Sequence, residues 1–96
     1  MTIGVIATIS IREGKNAEFE ELFMALTEQV LANEPGAVFY ALHRTKSDPQ
    51  VYKVLEQYAS QEALKAHGQT EYFLAASQKM GALVTAAPDI EVMDAV

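Results

Sequence analysis

Two hydrophobic periods follow one another along this chain of 96 residues, and their order restricts its fold more than any other feature. Apolar side chains occupy every second position from Ile3 to Ile11, which is typical of a β-strand. A helical stripe follows at i, i+3, i+4, i+7 and i+11, namely Phe19, Leu22, Phe23, Leu26 and Val30. Asn16 is expected to cap this helix. The segment 33–36, Asn-Glu-Pro-Gly, is expected to end it, because the residue before proline avoids the helical conformation.

A hairpin and a final strand are predicted further along the chain. Strands are expected from Ala37 to about Thr45 and from Val51 to Tyr58. The polar segment 46–50 between them has the composition of a turn, so the two strands should pair in antiparallel fashion. Residues 90–96 alternate again and predict a last strand.

Helical runs are predicted between the hairpin and the last strand. Ser60 and Thr70 can each cap one, and Gly68 separates the two runs. Taken as one helical arm, they complete the order β-α-β-β-α-β. This order predicts an α+β fold of the ferredoxin-like type in a single domain over residues 1–96. Its four-stranded antiparallel sheet should carry the helices on one face.

The predicted sheet is apolar on both faces. In the second strand Tyr40 and Leu42 point to one side, while Phe39 and Ala41 point to the other. The helices can cover only one face, and an antiparallel sheet with a solvated face alternates more cleanly. The second face is therefore predicted to pack against another copy of the chain, because a two-fold homodimer is the commonest way to bury it. The alternative is a set of scattered surface hydrophobic residues.

Composition excludes several classes of function. The chain has 7 Lys and Arg against 13 Asp and Glu, a formal net charge of −6, and no basic cluster. Nucleic acid and anionic membrane surfaces are therefore not expected as partners. Cysteine is absent, which excludes disulfides and thiolate chemistry. No apolar run reaches about 20 residues, and the N-terminal segment lacks the basic start of a signal peptide, so a cytoplasmic location is expected.

His67 is the strongest candidate for a functional side chain. Ala63 and Leu64 share its helical face, which should point at the sheet. A neutral imidazole can take a proton from a phenol or an enol near neutral pH. Glu56 lies on an otherwise apolar strand face and needs a partner, for which His67 is the natural candidate. The pair can be a catalytic base with its supporting carboxylate, or equally a polar contact that stabilises the fold.

Three further side chains are candidates for contact with a small-molecule substrate. Tyr58 and Tyr72 can donate hydrogen bonds to a carbonyl or phenolate oxygen, although half-buried tyrosines are also ordinary core residues. His43, near the end of the second strand, can face a pocket or the dimer interface. No metal site is expected, because the two histidines lie 24 residues apart without a ligand motif around them.

The segment 34–73 carries an ordered set of short motifs. They are Glu34-Pro35-Gly36, Asp48-Pro49, Glu56-Gln57-Tyr58, Ala63-Leu64-Lys65-Ala66-His67 and Thr70-Glu71-Tyr72-Phe73. In this order they resemble the antibiotic biosynthesis monooxygenase family, which belongs to the dimeric α+β barrel superfamily. The order of strands and helices extends the resemblance over essentially the whole chain. It implies a homodimer whose two sheets form a barrel, with a pocket between each sheet and its own helices.

The resemblance also implies an activity, namely a monooxygenase that needs no metal, flavin or haem. A pocket base, here His67 supported by Glu56, would deprotonate a phenol, a quinol or an enolisable compound, and the anion would react directly with dioxygen. Related members leave two alternatives open. One is an isomerase or processing enzyme for a small phosphorylated carbonyl compound of the autoinducer-2 breakdown type, and the other is a non-catalytic dimeric binding protein. Haem degradation is not expected, because the chain has no tryptophan and Tyr58 stands at a position that is often tryptophan.

Overall fold

The computed structural model describes all 96 residues. Its elements are β1 (Ile3–Ser10), α1 (Asn16–Asn33), β2 (Ala37–Arg44), β3 (Val51–Tyr58), α2 (Gln61–His67), α3 (Glu71–Met80) and β4 (Asp89–Asp94). This order confirms the predicted ferredoxin-like arrangement. The second helical arm consists of two short helices, since α2 ends at Gly68 and a turn leads into α3.

The four strands form one antiparallel sheet in the order β2-β3-β1-β4. The first strand of the chain therefore lies inside the sheet, between β3 and β4. The hairpin of β2 and β3 places Tyr40 directly opposite Glu56. Because paired residues point to the same side of a sheet, Tyr40 and Glu56 share one face. Val5 of β1 is paired with Glu56 as well, so the same face continues across the sheet.

The helices cover this face and close a core against it. The stripe predicted for α1 is buried at Phe19, Phe23, Leu26 and Val30, and Leu22 is half-buried at its edge. The alternating positions of β1 are buried too, from Ile3 to Ile9. Phe19 and Phe23 pack against each other and reach tyrosines of the sheet, with the Phe19 ring 4.9 Å from that of Tyr52. The two periods seen in the sequence thus meet in one core.

The cap predicted for α1 is wrong, whereas the two later caps are confirmed. Asn16 is the first residue of the helix, and its amide donates instead to the carbonyl oxygen of Pro49 at 2.8 Å and to the hydroxyl of Tyr52 at 3.0 Å. Ser60 Oγ accepts from the backbone N–H of Ala63 at 3.1 Å. Thr70 Oγ accepts in the same way at the start of α3. These caps fix the two ends of the segment 60–70, which contains α2 and His67.

The face of the sheet that carries no helix holds a group of exposed apolar residues, as expected from the sequence. Phe39, Leu55 and Met93 are 43%, 36% and 36% exposed on it, and Ile6 and Ala41 flank Leu55 in the register. Exposed apolar residues that adjoin one another in this way are typical of a surface that another protein covers. None of the helices combines the length and the apolar character that crossing a membrane requires.

Candidate active site

A cavity of about 240 Å³ lies between the sheet and the helices. Ten of its fifteen lining residues are hydrophobic, and every strand and helix contributes to the wall. Ile90 of β4, paired with Ala7 on the covered face, and Pro88 of the preceding loop complete it. Only four lining residues carry polar side-chain groups, namely Tyr40, Glu56, His67 and Ser77, and no lysine or arginine is among them. An apolar space with a few convergent polar groups is the usual form of a small-molecule site.

His67 is the last residue of α2 and is buried among aromatic rings. Only 4% of it is exposed, and its ring lies 5.3 Å from that of Tyr40, 5.3 Å from that of Tyr58 and 4.6 Å from that of Phe73. The backbone around it is held as well, because Thr70 Oγ donates to the carbonyl oxygen of His67 at 2.9 Å. The prediction that this histidine points from the helix towards the sheet is therefore confirmed.

The partner of His67 is Glu34 and not Glu56, so the predicted pairing is wrong. Nδ1 of His67 lies 3.0 Å and 3.2 Å from the two carboxylate oxygens of Glu34. Glu34 follows α1 in extended conformation, with Pro35 after it. This conformation turns its carboxylate away from the helix and beneath α2. The sequence signal was present in the motif Glu34-Pro35-Gly36, which was interpreted as the end of a helix and as a family motif, without a role for the Glu34 side chain.

The pKa of His67 is lowered, because burial disfavours the charged imidazolium more strongly than the Glu34 carboxylate favours it. The imidazole is therefore neutral near pH 7. With Nδ1–H donated to Glu34, Nε2 carries the lone pair. Nε2 makes no hydrogen bond within the protein, whereas every fully buried side-chain nitrogen or oxygen atom has a partner. Nε2 is thus accessible, and the space next to His67 is the cavity.

Glu56 lies in the cavity wall and belongs to a second pair. Its Oε1 accepts a hydrogen bond of 2.7 Å from the hydroxyl of Tyr58. Burial raises the pKa of Glu56, the hydrogen bond from Tyr58 opposes this shift and the charge of Glu34 adds to it, so that the pKa is about 7. Near neutral pH this carboxyl group can therefore either donate or accept a proton. His67 and Glu56 thus face the cavity with separate partners.

Tyr40 is a cavity residue that had not been singled out as a site residue. Its hydroxyl has no hydrogen-bond partner in the protein and, by the same argument as for Nε2, remains accessible. Its ring is fixed by stacking on Phe23 at 5.5 Å. Burial raises the pKa of Tyr40, and the neighbouring Glu56 raises it further, so the group stays a hydroxyl. The sequence feature that could have identified Tyr40 as a site residue is its position on the helix-facing side of the second strand.

The other three predicted site residues do not line the cavity. Tyr58 is fully buried behind Glu56. Tyr72 is half-buried and donates its hydroxyl proton to Glu34, and burial together with this hydrogen bond raises the pKa of Tyr72 to about 12. His43 is exposed, with Nδ1 3.2 Å from the carbonyl oxygen of Ala41, and it alternates with Tyr40 so that it lies on the opposite face of the sheet. Tyr58 and Tyr72 support cavity residues, and the structure does not bring His43 to the site.

No group of three or more His, Asp or Glu side chains converges in a way that could hold a metal ion. The Glu34 carboxylate approaches only one imidazole, and Glu56 is paired with a hydroxyl. The arrangement is instead that of a neutral base with an oriented lone pair in an apolar space.

The fold and parts of the sequence recur in other proteins. A solved structure from Caulobacter crescentus CB15, which bears the name of an antibiotic biosynthesis monooxygenase family protein, is 53% identical, with a TM-score of 0.96 over 99% of this chain and 90% of that one. A Pseudomonas aeruginosa protein is 28% identical, with a TM-score of 0.88 over 99% and 94% of the two chains. A Methanosarcina mazei Go1 protein shares the fold at 21% identity, with a TM-score of 0.94 over 100% and 94%.

No curated protein matches the chain. Residues 2–79 match the family described as antibiotic biosynthesis monooxygenase. This match spans every element from β1 to most of α3 and includes Glu34, Glu56, His67 and Tyr72. The chain therefore belongs to the antibiotic biosynthesis monooxygenase family.

Proposed function

We propose that the protein is a monooxygenase in which His67 deprotonates a phenol, a quinol or another enolisable compound, without the help of a cofactor. The observation that carries this proposal is the state of His67. Its Nδ1 is held by Glu34, its Nε2 is accessible at the cavity, and its lowered pKa keeps it neutral. A base in this state is ready to accept a proton near neutral pH.

The wall of the cavity favours an uncharged, largely apolar substrate. Ten of the fifteen lining residues are hydrophobic, and none is a lysine or an arginine. A phosphorylated carbonyl compound would bring a dianion into this space without a cationic partner, which is costly. The isomerase alternative is therefore disfavoured, whereas an aromatic ring with a hydroxyl or carbonyl group fits the wall and its four polar groups.

Deprotonation supplies the electrons that dioxygen needs. Loss of a proton to Nε2 leaves an electron-rich anion whose oxygen can receive a hydrogen bond from the Tyr40 hydroxyl or from protonated Glu56. For a methylene group between two aromatic rings, the overall reaction is R₂CH₂ + O₂ → R₂C=O + H₂O. The carbon gives four electrons and dioxygen takes four, so the equation balances without an external reductant.

The test is oxygen uptake with anthrone and with 1,4-dihydroxynaphthalene as probes, after subtraction of the uncatalysed reaction. His67→Gln retains a polar side chain but loses the base. Its kcat/KM should fall by about 10²–10⁴-fold, the usual contribution of a general base. His43→Gln is the matched control, because this histidine lies on the other face of the sheet, and it should retain the wild-type rate.

Two outcomes would contradict the proposal. Equal oxygen uptake by wild type and His67→Gln would show that His67 is not the base. Thermal stabilisation of the wild type by the probes without any oxygen uptake would instead favour the non-catalytic binding protein, since a ligand raises the melting temperature simply by binding the folded state.

We also propose that two copies of the chain assemble through the uncovered face of the sheet. Phe39, Leu55 and Met93 expose apolar surface there, and the helices leave it open. A two-fold pairing of identical faces would remove this surface from water. The acidic net charge of −6 and the absence of a basic cluster argue against nucleic acid as the partner.

A further inference from the structure

Three side chains form a hydrogen-bonded chain that runs through the wall of the cavity. His67 Nδ1 lies 3.0 Å from Oε1 of Glu34 and 3.2 Å from its Oε2. The Tyr72 hydroxyl donates to Oε2 of the same carboxylate. The three residues come from α2, from the end of α1 and from α3, so three separate elements converge on one carboxylate.

The two ends of this chain lie in different spaces. His67 lines the apolar cavity, and neither Glu34 nor Tyr72 does. Glu34 and Tyr72 line a separate surface depression of about 400 Å³, which His67 does not reach. This outer depression also includes Gly36 and Thr70. Only 11% of the Glu34 side chain is exposed, so the carboxylate is the link between the buried imidazole and the outer water.

The second carboxyl group near His67 offers no such path. Glu56 is bonded to Tyr58, which is fully buried, so a proton that reached this pair would have no polar neighbour towards solvent. Tyr40, the remaining titratable group beside the imidazole ring, has no hydrogen-bond partner. Among the titratable groups around His67, only Glu34 connects it to the outside.

From this geometry we infer that Glu34 and Tyr72 form a proton relay between His67 and the outer depression. The inference rests on the proposed role of His67 as the base. When Nε2 takes a proton from the substrate, the Nδ1 proton moves to the Glu34 carboxylate, and the imidazole is again neutral in its other tautomer. Glu34 then exchanges its proton with water in the depression, directly or through the Tyr72 hydroxyl, which accepts one proton and releases another. Addition of dioxygen to the anion gives a peroxide, R₂CH–O–O⁻, which forms the carbonyl group as its O–O bond breaks and hydroxide leaves. A proton that returns by the same path converts this hydroxide to water.

The relay solves an electrostatic problem of the buried base. An imidazolium ion among the rings of Tyr40, Tyr58 and Phe73 is poorly solvated, and burial already lowers the pKa of His67. Transfer of the Nδ1 proton removes that charge during the reaction with dioxygen. Tyr72 stays protonated, since burial and its hydrogen bond raise its pKa to about 12, and it can therefore act only as a hydroxyl that passes a proton on. Glu34 and Tyr72 are thus positioning and relay residues, and His67 is the only one of the three that touches the substrate.

The first test needs no substrate. In protein labelled with ¹⁵N-histidine, only His43 and His67 give ring signals, and exchange of the His67 Nδ1 proton with water is measured by magnetisation transfer. Glu34→Gln keeps an oxygen that can accept from Nδ1–H but cannot take up the proton. A relay therefore predicts exchange at least about tenfold slower in this variant. A purely structural contact predicts the opposite sign, because the weaker neutral hydrogen bond opens more often.

Glu20→Gln is the matched control. Glu20 also accepts a hydrogen bond from a tyrosine hydroxyl, that of Tyr52, but it is not bonded to His67. This variant should leave the His67 exchange rate at the wild-type value. Unchanged or faster exchange in Glu34→Gln would overturn the relay.

The second test connects the relay to the chemistry. Under anaerobic conditions in D₂O, the wild type should exchange the acidic methylene protons of anthrone for deuterium, and Glu34→Gln should do so at least about tenfold more slowly. Its affinity for anthrone should be unchanged, because Glu34 does not line the cavity. Slower Nδ1 exchange without any wild-type reaction on anthrone would support the relay and contradict the proposed function. A reaction on anthrone that His67→Gln abolishes and Glu34→Gln leaves intact would do the reverse.

Discussion

Glu56 provides a measurable consequence of burying a carboxyl group in the cavity wall. Burial raises its pKa to about 7 in the folded state, from 4.5 in the unfolded chain. Between these pH values the folded state binds more protons, so stability falls as the pH rises through this window and is constant above it. The penalty at high pH is on the order of 3 kcal/mol. Glu56→Gln keeps an acceptor for Tyr58 but cannot ionise, and it should gain this amount relative to the wild type between about pH 5 and pH 8.

Urea unfolding at several pH values checks this prediction. The quantity to compare is the difference in unfolding free energy between the wild type and Glu56→Gln. In each protein His67 adds a pH dependence of the opposite sign, and the difference removes it. The lowered pKa of His67 makes stability rise with pH up to its unfolded value of about 6.5. Glu28→Gln, on the exposed side of α1, is the control for the loss of one carboxylate. A Glu56→Gln stability curve that follows the Glu28→Gln curve across this pH range would show that burial does not raise the pKa of Glu56.

Sequence reasoning found the right residue types in the site but not all their contacts. His67 was predicted to point inward because its helical face is defined by neighbours three and four positions away. Its partner, Glu34, lies 33 residues away in sequence. Whether Glu34 can reach His67 depends on how the chain turns after α1. Glu56 and Glu34 are both plausible from sequence, and only the conformation of Glu34 before Pro35 distinguishes them. The Tyr40 hydroxyl likewise becomes notable only once its lack of a partner is known.

The position of α2 depends on a close approach to the chain before β2. A Cβ atom built at Gly36 would lie 2.6 Å from Cβ of Ala63, in the first turn of α2, and one of the two segments would have to move. Gly36 has no positive φ, so the cost of Gly36→Ala is steric and not conformational. We expect a loss of about 1–3 kcal/mol of unfolding free energy, as for overpacking elsewhere. His67 moves with α2, so activity should fall too.

A double-mutant cycle isolates this contact. Ala63→Gly removes the opposing methyl group at a cost of about 1 kcal/mol for glycine in a helix. In that background Gly36→Ala should cost nothing further, which gives a coupling energy equal to the steric penalty. Gly68→Ala is the control, because its nearest contact would be an ordinary 3.7 Å. If Gly36→Ala were as harmless as Gly68→Ala, α2 would not be held by this approach.

At the level of helices and strands, local sequence signals predicted the architecture correctly. The one wrong prediction, the Asn16 cap, failed because distant residues compete for that side chain. The strand alternation and the stripe of α1 are set within a few residues, and both are confirmed. Ser60 and Thr70 cap their helices because all the hydrogen bonds of their side chains are local. Asn16 does not cap, since Pro49 and Tyr52, more than 30 residues away, provide partners for its amide. A cap prediction holds where no distant group competes for the side chain.

The whole molecule places its two apolar surfaces on opposite sides of one sheet. The order of elements predicted this layering, because helices on one face leave the other open. The cavity could not be predicted in the same way. Its volume is what remains after side chains such as Phe23, Phe73 and Met80 have packed, and no local pattern determines it. The cavity wall is proposed to serve catalysis, and the uncovered face of the sheet is proposed to serve assembly. A substitution on one surface should leave the function of the other intact.

Leu55→Glu tests the assembly. Leu55 lies near the centre of the uncovered face, between Ile6 on one side and Ala41 on the other. In a two-fold interface one substitution places two unpaired charges in the contact, so the dissociation constant should rise at least about a hundredfold. In sedimentation equilibrium the wild type should have about twice the mass of one chain, and Leu55→Glu should sediment as a single chain at micromolar concentration.

Leu74→Glu, 55% exposed on α3, is the control and should remain dimeric. Since Leu55 does not line the cavity, monomeric Leu55→Glu should still bind anthrone. A wild type that sediments as a single chain would show that this apolar face is stable in water without a second copy.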